Sequence, residues 1–320
     1  MVPRYRNEKY VPFTAICSGN NKEAKLRYYF DSFENFEEWP IYEATKILST
    51  AWYNSTRTTV IFCHGFTGIP TGPAVTAVIK TYLEQGESNV ALLNWDYLAS
   101  KPMPSLASSY VNFAVPNARR LGVRLASTFL DLSEAGMDLN KTHLIGHSLG
   151  AHILGIAGNH LAAKGVQLPW ITGLDPAAVG FENKAARLYE GSALFVDVIH
   201  TDPNKYGTSM PSGTVDFWPN FKSGWPIIQP GCGRKPAPAL SKEDLCNHNR
   251  SWELLVNAIK YPDTLIGCHA KNYRIWKNYS KDERNAYTLA IGIHNITARA
   301  GNYYFMTNSE PPYGMAEDGL

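Results

Sequence analysis

The sequence predicts an α/β fold, a mostly parallel central sheet with helices on both faces, and two features carry that prediction. Short β-rich apolar runs recur from about residue 58: "TTVIFC", "NVALLNW", "THLIG", "WITGLD" and "LFVDVIH". They are nearly continuous rather than alternating, and longer stretches with helical spacing separate them. Strands hidden on both faces and joined through helices are what a parallel sheet requires, because each crossover lays a helix over one face.

The elements follow in chain order. Pro73 suits the first turn of a helix after "TTVIFC", where its missing N–H costs nothing. A second helix is expected near 117–135, introduced by Pro116, with positions 121, 125, 129 and 132 on one apolar face. "THLIG" runs into a helix from 149. Between 203 and 246 the periodicity fades into Pro- and Gly-rich loops, expected at the rim, and "CNHNRSWELLVNAIKY" reads as a helix preceded by a polar turn. The segments "AYTLAIGIH" and "GNYYFMTN" alternate as antiparallel edge strands do. A single domain over 1–320 is expected, with about 1–25 as an N-terminal extension.

Composition narrows the function. With 320 residues, 44% hydrophobic and 18% charged, the chain has the means to bury a large core. Thirty basic against 28 acidic residues leave a net charge of +2, with no Lys/Arg block to track a phosphate backbone, so a nucleic-acid partner is not expected. No apolar run reaches the roughly 18 residues of a membrane span, and the first residues lack the basic-then-apolar layout of an export signal. Cys17, Cys63, Cys232, Cys246 and Cys268 contain no C-x-x-C pair and their odd number leaves one unpaired. Sequons at Asn54, Asn140, Asn249, Asn278 and Asn295 suit a secreted, extracellular protein.

The chemistry centres on Gly146-x-Ser148-x-Gly150. The serine follows the strand "HLI" and precedes a helix, the context in which glycines permit a sharp turn and the helix N-terminus faces a developing oxyanion. A nucleophilic serine needs a base and a group to orient it, and in this architecture the acid comes next and the histidine last. Asp175 ends the following apolar run, at the rim the serine shares. His200, His248, His269 and His294 all satisfy the order. His200 ends a strand and reads as a satisfied core residue, while His248 reads as lying in a loop that opens a helix, just after Cys246.

Beyond the pentapeptide, "HGF" at 64–66, "HLIGHSLGAH" at 143–152, "ITGLDPA" at 171–177, "FVDVIHTD" at 195–202, "VDFWPN" at 215–220, "QPGC" at 229–232, "CNHNRS" at 246–251 and "YYFMTN" at 303–308 resemble the animal pancreatic-lipase family, which includes single-domain insect lipases and venom phospholipases. The resemblance spans about 55–310. It implies an α/β-hydrolase fold, a nucleophile at Ser148, an orienting acid at Asp175, a base at His248, and an oxyanion hole from the backbone N–H groups of Phe66 and Leu149. It also implies a lid, here "GRKPAPALSKEDL", closed by a disulfide between Cys232 and Cys246. Cys63 is then expected to be a buried free thiol, with Cys17 and Cys268 the remaining pair.

Three departures from the family pattern matter. Members with bound calcium draw ligands from the segment ahead of "FVDVIHTD", which here keeps Arg187 but shows Lys184, Tyr189 and Ser192 where acidic ligands would stand. A hard cation needs several oxygen ligands, so that site is expected to be lost, with no metal or cofactor required. The sandwich domain that binds colipase has no counterpart, so no colipase partner is expected. The lid and the loop "PNKYGTSMPSGTV" look short, as in the family's phospholipases. Pro236 and Pro238 break helical periodicity, and Arg234, Lys235, Lys242, Glu243 and Asp244 leave little apolar face. The implied activity is ester hydrolysis of lipids at a membrane, micelle or droplet surface, at the sn-1 position of phospholipids or related polar lipids. The alternatives are triacylglycerol as main substrate, small soluble esters, or lipid carriage without catalysis, as in yolk proteins that resemble the family.

Overall fold

The computed structural model describes residues 23–222, 226–233 and 235–320. Among them, eleven strands form one sheet: β1 (Lys25–Tyr29), β2 (Phe36–Pro40), β3 (Thr58–Cys63), β4 (Ser88–Asn94), β5 (Thr142–His147), β6 (Trp170–Leu174), β7 (Phe195–Ile199), β8 (Val215–Pro219), β9 (Ile266–His269), β10 (Thr288–Ala290) and β11 (Gly301–Phe305). Their spatial order is β10-β9-β11-β8-β7-β6-β5-β3-β4-β1-β2. From β11 to β4 all neighbours run parallel. Antiparallel pairs close both ends. This is the mostly parallel sheet of an α/β-hydrolase fold.

The strands read as unbroken apolar runs because both faces are covered. In β3, Ile61 and Cys63 face a core shared with the helices Val115–Glu134 and Leu149–Ala162. Val60 and Phe62 face the opposite core, under the helices Pro73–Gln85 and Cys246–Lys260. The expected helical face at 121, 125, 129 and 132 is buried throughout. Each such apolar side chain hidden from water is worth about 1.5–3 kcal/mol. Pro73 and Pro116 both fall in first turns.

The structure corrects several expectations. The sheet begins before residue 58: β1 and β2 form an edge hairpin whose "KLRYY" and "FEEWP" are too charged to stand out as apolar runs, with Glu38 held by Arg27 at 3.0 Å and Lys25 at 3.3 Å. Residues 1–22, most of the expected extension, lie outside the described residues, as does Cys17. β11 is not an edge strand: it runs parallel to β8 and antiparallel to β9. Alternation reports how many faces are buried, not strand direction. β8 lies within the stretch expected to be loop. Its Asp216 disguises a fully buried strand, and that carboxylate is satisfied by His200 and by the N–H groups of Ser212 and Gly213.

The carboxyl ends of β3, β5, β6 and β7 share one rim. Cys63, at the end of β3, is fully buried and carries no bridge among the described residues, and burial pushes its thiol well above the usual range.

Candidate active site

Ser148 occupies the turn between β5 and the helix Leu149–Ala162, at φ 57° and ψ −119°. A non-glycine residue there costs roughly 1–3 kcal/mol and persists only where its surroundings enforce it. Here its N–H donates to the Leu174 carbonyl at 3.0 Å, and its own carbonyl accepts from Ala151 N at 3.2 Å. The helix also starts hard against β3: a Cβ on Gly150 would stand 2.2 Å from the Cys63 carbonyl oxygen, so only glycine permits that approach.

Asp175 follows β6 at φ 44° and is fully buried. Its Oδ1 accepts from the N–H groups of Thr201 at 2.8 Å and Asp202 at 3.0 Å, and its Oδ2 accepts from His248 Nδ1 at 2.6 Å. A carboxylate only accepts, so Nδ1 carries the proton and Nε2 is left with its lone pair.

His248 lies in the first turn of the helix Cys246–Lys260 rather than in a preceding loop. The difference arises because the helix starts at Cys246 itself, the residue bridged to Cys232, with the two Cα atoms 5.7 Å apart. Asn247 adds an anchor by accepting from Gln229 N at 2.8 Å.

The His147 ring lies 4.6 Å from that of His248, and its Nε2 approaches the His248 carbonyl at 3.4 Å. Burial, then the facing His248, hold His147 well below the usual histidine range, so it stays neutral beside the Asp175–His248 pair. The link between Ser148 Oγ and His248 Nε2 is not made as a hydrogen bond in this structure. Such contacts are commonly loose without substrate.

The Phe66 and Leu149 N–H groups donate to no described acceptor. A Cβ on Gly65 would stand 2.7 Å from that of Ser148, which fixes the "HGF" loop against the serine. Phe66 packs edge-on against Tyr110 at 5.2 Å, and the Tyr110 hydroxyl donates to the Val179 carbonyl at 3.0 Å. The other candidate histidines are engaged elsewhere. His200 pairs with Asp216 at 2.7 Å and stacks on Trp218 at 3.8 Å, His269 meets the Ala300 carbonyl, and His294 stacks on Trp170.

The sequence profile of a family described as lipase matches residues 18–313. The chain belongs to the lipase family. This lipase is 33% identical over 261 residues to a phospholipase A1 of Vespa crabro, covering 79% of the chain and 82% of the relative. It is 30% identical over 285 residues to phospholipase A1 member A of Bos taurus, covering 85% and 59%. To lipase member H-A of Xenopus laevis it is 32% identical over 229 residues, covering 71% and 46%.

One group that the sequence does not single out is Asp202, three residues beyond the end of β7 at Ile199, in "IHTD". Its Oδ2 is buried without a partner among the described residues. Burial, then the charge of Asp175, push its pKa from 3.8 up to about 8, against the pull of Lys205. The group therefore holds its proton to a much higher pH than an ordinary aspartate does. Its folded value lies above its unfolded one, so ionisation opposes folding: the penalty is absent below about pH 4, grows as pH climbs and is complete above about pH 8. Asp202→Asn, which mimics the protonated form, is expected to raise the melting temperature at pH 9 and leave it unchanged at pH 4. Equal effects at both pH values would refute this.

In the segment ahead of β7, Ser192 Oγ is buried between Tyr189 N and Asn159, and Lys184 pairs with Glu190 at 2.8 Å. This donor set does not fit a hard divalent cation. Activity and melting temperature of the lipase are expected to be indifferent to chelator, because a ligand that does not bind the native state cannot stabilise it. A chelator-induced fall in melting temperature would count against this reading.

The lid forms turns and no helix among its described residues, and Arg234 lies outside them. Asp244 ties it down: the carboxylate accepts from Lys205 Nζ at 2.8 Å, from the Tyr206 hydroxyl and from Leu240 N at 2.9 Å. The two short loops thus make one wall beside the site, with the Tyr206 ring 5.5 Å from His248.

Proposed function

We propose that this lipase is a secreted serine hydrolase that cleaves lipid carboxylic esters through an acyl-enzyme, with the sn-1 ester of phospholipids or related polar lipids as preferred bond. The reading rests on the Asp175–His248 pair at 2.6 Å, set beside a strained Ser148 and two N–H groups without acceptors. His248 Nε2 takes the proton as Ser148 Oγ attacks the ester carbonyl, and Asp175 holds the ring and faces the imidazolium that forms. The Phe66 and Leu149 N–H groups receive the oxyanion, each donor worth roughly 3 kcal/mol of barrier. His248 then protonates the departing alcohol, and the same groups activate water to release the fatty acid.

The polar-lipid preference rests on the lid. Lys235, Lys242 and Glu243 are exposed, and the Asp244 contacts pin the loop instead of presenting an apolar helix to oil. The disulfide and the exposed sequon residues Asn54, Asn140 and Asn278 support secretion. The test presents triacylglycerol, phosphatidylcholine and galactolipid side by side. The expected products are lysophospholipid and the sn-1 fatty acid, with little jump in rate as a short-chain substrate passes its solubility limit. A sharp jump on triacylglycerol, with no lysophospholipid from vesicles, would overturn the substrate choice.

A further inference from the structure

If the lid offers little apolar surface, something else has to hold a phospholipid hydrolase at its substrate. The stretch from Asp96 to Asp131 contains no acidic residue between those two and four basic ones, Lys101, Arg119, Arg120 and Arg124. Tyr97, Met103, Leu106 and Val111 within it are 55%, 38%, 48% and 50% exposed. Val179 and Ile69, at 55% and 50%, lie on the loops that follow Asp175 and the "HGF" stretch. Single exposed apolar residues need no explanation, but a group of them on connected segments does.

The connections are explicit. Tyr110 spans the three segments, with its ring on Phe66 and its hydroxyl on the Val179 carbonyl. Arg119 donates to the Gly180 carbonyl, and Ser109 bonds both backbone groups of Lys101, closing the 101–109 loop. The path is helical from Leu106–Ser109 through a wider π turn, Tyr110–Ala114, into Val115–Glu134. Ser109 and Ala114 face inward, while Leu106 and Val111 face outward. Lys101, Arg119 and Arg120 form no ion pair among the described residues. Arg119 and Arg120 bond neutral oxygens, and the charge of Arg119 is felt by the exposed Glu182.

We propose that this collar beside the "HGF" loop is the surface on which the lipase docks on a lipid bilayer bearing anionic headgroups. Met103, Leu106 and Val111 enter the acyl boundary, and the basic side chains lie among the headgroups. Exposed apolar side chains interspersed with basic ones along one connected segment are the pairing that anionic membranes recognise. Docking of this kind concentrates the protein on substrate without unlocking the site, so it acts on the lipid concentration needed for half-maximal rate rather than on the maximal rate. The proposal rests on the hydrolase reading for its purpose, but binding is measured independently.

The experiment uses the Ser148→Ala protein, so that no lipid is consumed, and co-sedimentation with vesicles of phosphatidylcholine alone or mixed with phosphatidylserine. The expected result is preferential binding to the mixed vesicles, weakened by salt. Adding Leu106→Ser and Val111→Ser should lower partitioning at least about ten-fold. Lys101→Glu should remove much of the preference for phosphatidylserine. Ile296→Ser, a 63% exposed residue between β10 and β11, should change nothing. Melting temperatures and circular dichroism identify any variant that has simply unfolded. Undiminished binding by the folded Leu106→Ser, Val111→Ser protein, or an equal loss in Ile296→Ser, overturns the proposal. If wild-type protein released no fatty acid while the binding pattern held, the hydrolase reading would fail and the docking surface would stand.

Discussion

Ser148→Ala is expected to lower kcat for ester hydrolysis by roughly 10⁵- to 10⁶-fold, down to the residue that binding and oxyanion donors supply without a nucleophile. The fold should survive. The hydroxyl forms no hydrogen bond to the described structure, whereas the backbone bonds that hold the turn, to Leu174 and Ala151, do not depend on the side chain. Alanine meets the same strain at φ 57° as serine does, so the melting temperature should move little. His248→Ala should fall equally far, and the double variant no further, since triad members act as a unit. Wild-type turnover in either single variant would remove the assignment.

Asp175→Asn is expected to cost about 10⁴-fold in kcat, and the hydrogen bonds say why. Two backbone N–H groups, from Thr201 and Asp202, point at Oδ1, so the amide oxygen of an asparagine has to take that place. Its NH₂ group then faces His248 Nδ1, at the position where Oδ2 accepted a hydrogen bond at 2.6 Å. A donor there forces Nδ1 to accept, which moves the imidazole proton to Nε2 and leaves no lone pair for the serine hydroxyl. The backbone contacts are preserved, so the loss should appear in turnover with little change in stability. A variant within ten-fold of wild type would show that Asp175 orients nothing.

How far the sequence carried these conclusions depended on burial. β3 and β5 to β7 were readable because both faces are covered and apolar residues dominate each run, even with the buried His143 in β5 and Asp197 in β7. β8 was hidden because its five residues, with Asp216 and Pro219 among them, sit inside a Pro- and Gly-rich stretch, and β1 and β2 were hidden by the charges that protect a sheet edge. Direction was not readable at β11, since its pattern would suit either neighbour. At the site, the order of serine, acid and histidine left four histidines open. Resemblance pointed to His248, and the structure shows that histidine hydrogen-bonded to Asp175 while the other three make contacts elsewhere. Asp202 escaped because nothing in "IHTD" shows that the chain brings its carboxyl within electrostatic reach of Asp175.

Ser148 and Asp175 share a property that their neighbours lack: both stand on positive φ, at 57° and 44°. The unfolded chain rarely visits these conformations, although aspartate tolerates positive φ better than serine does. They are imposed from outside, by the packing of a helix on the end of β3 and by the loop that follows β7. The reactive geometry is thus borrowed from the scaffold rather than intrinsic to its own residues. A disturbance that slackened those supports while sparing the strand ladder would let both residues relax to ordinary backbone angles. The molecule would then keep its spectroscopic signature and lose its chemistry, so thermal or solvent inactivation of this lipase should run ahead of the melting of its sheet.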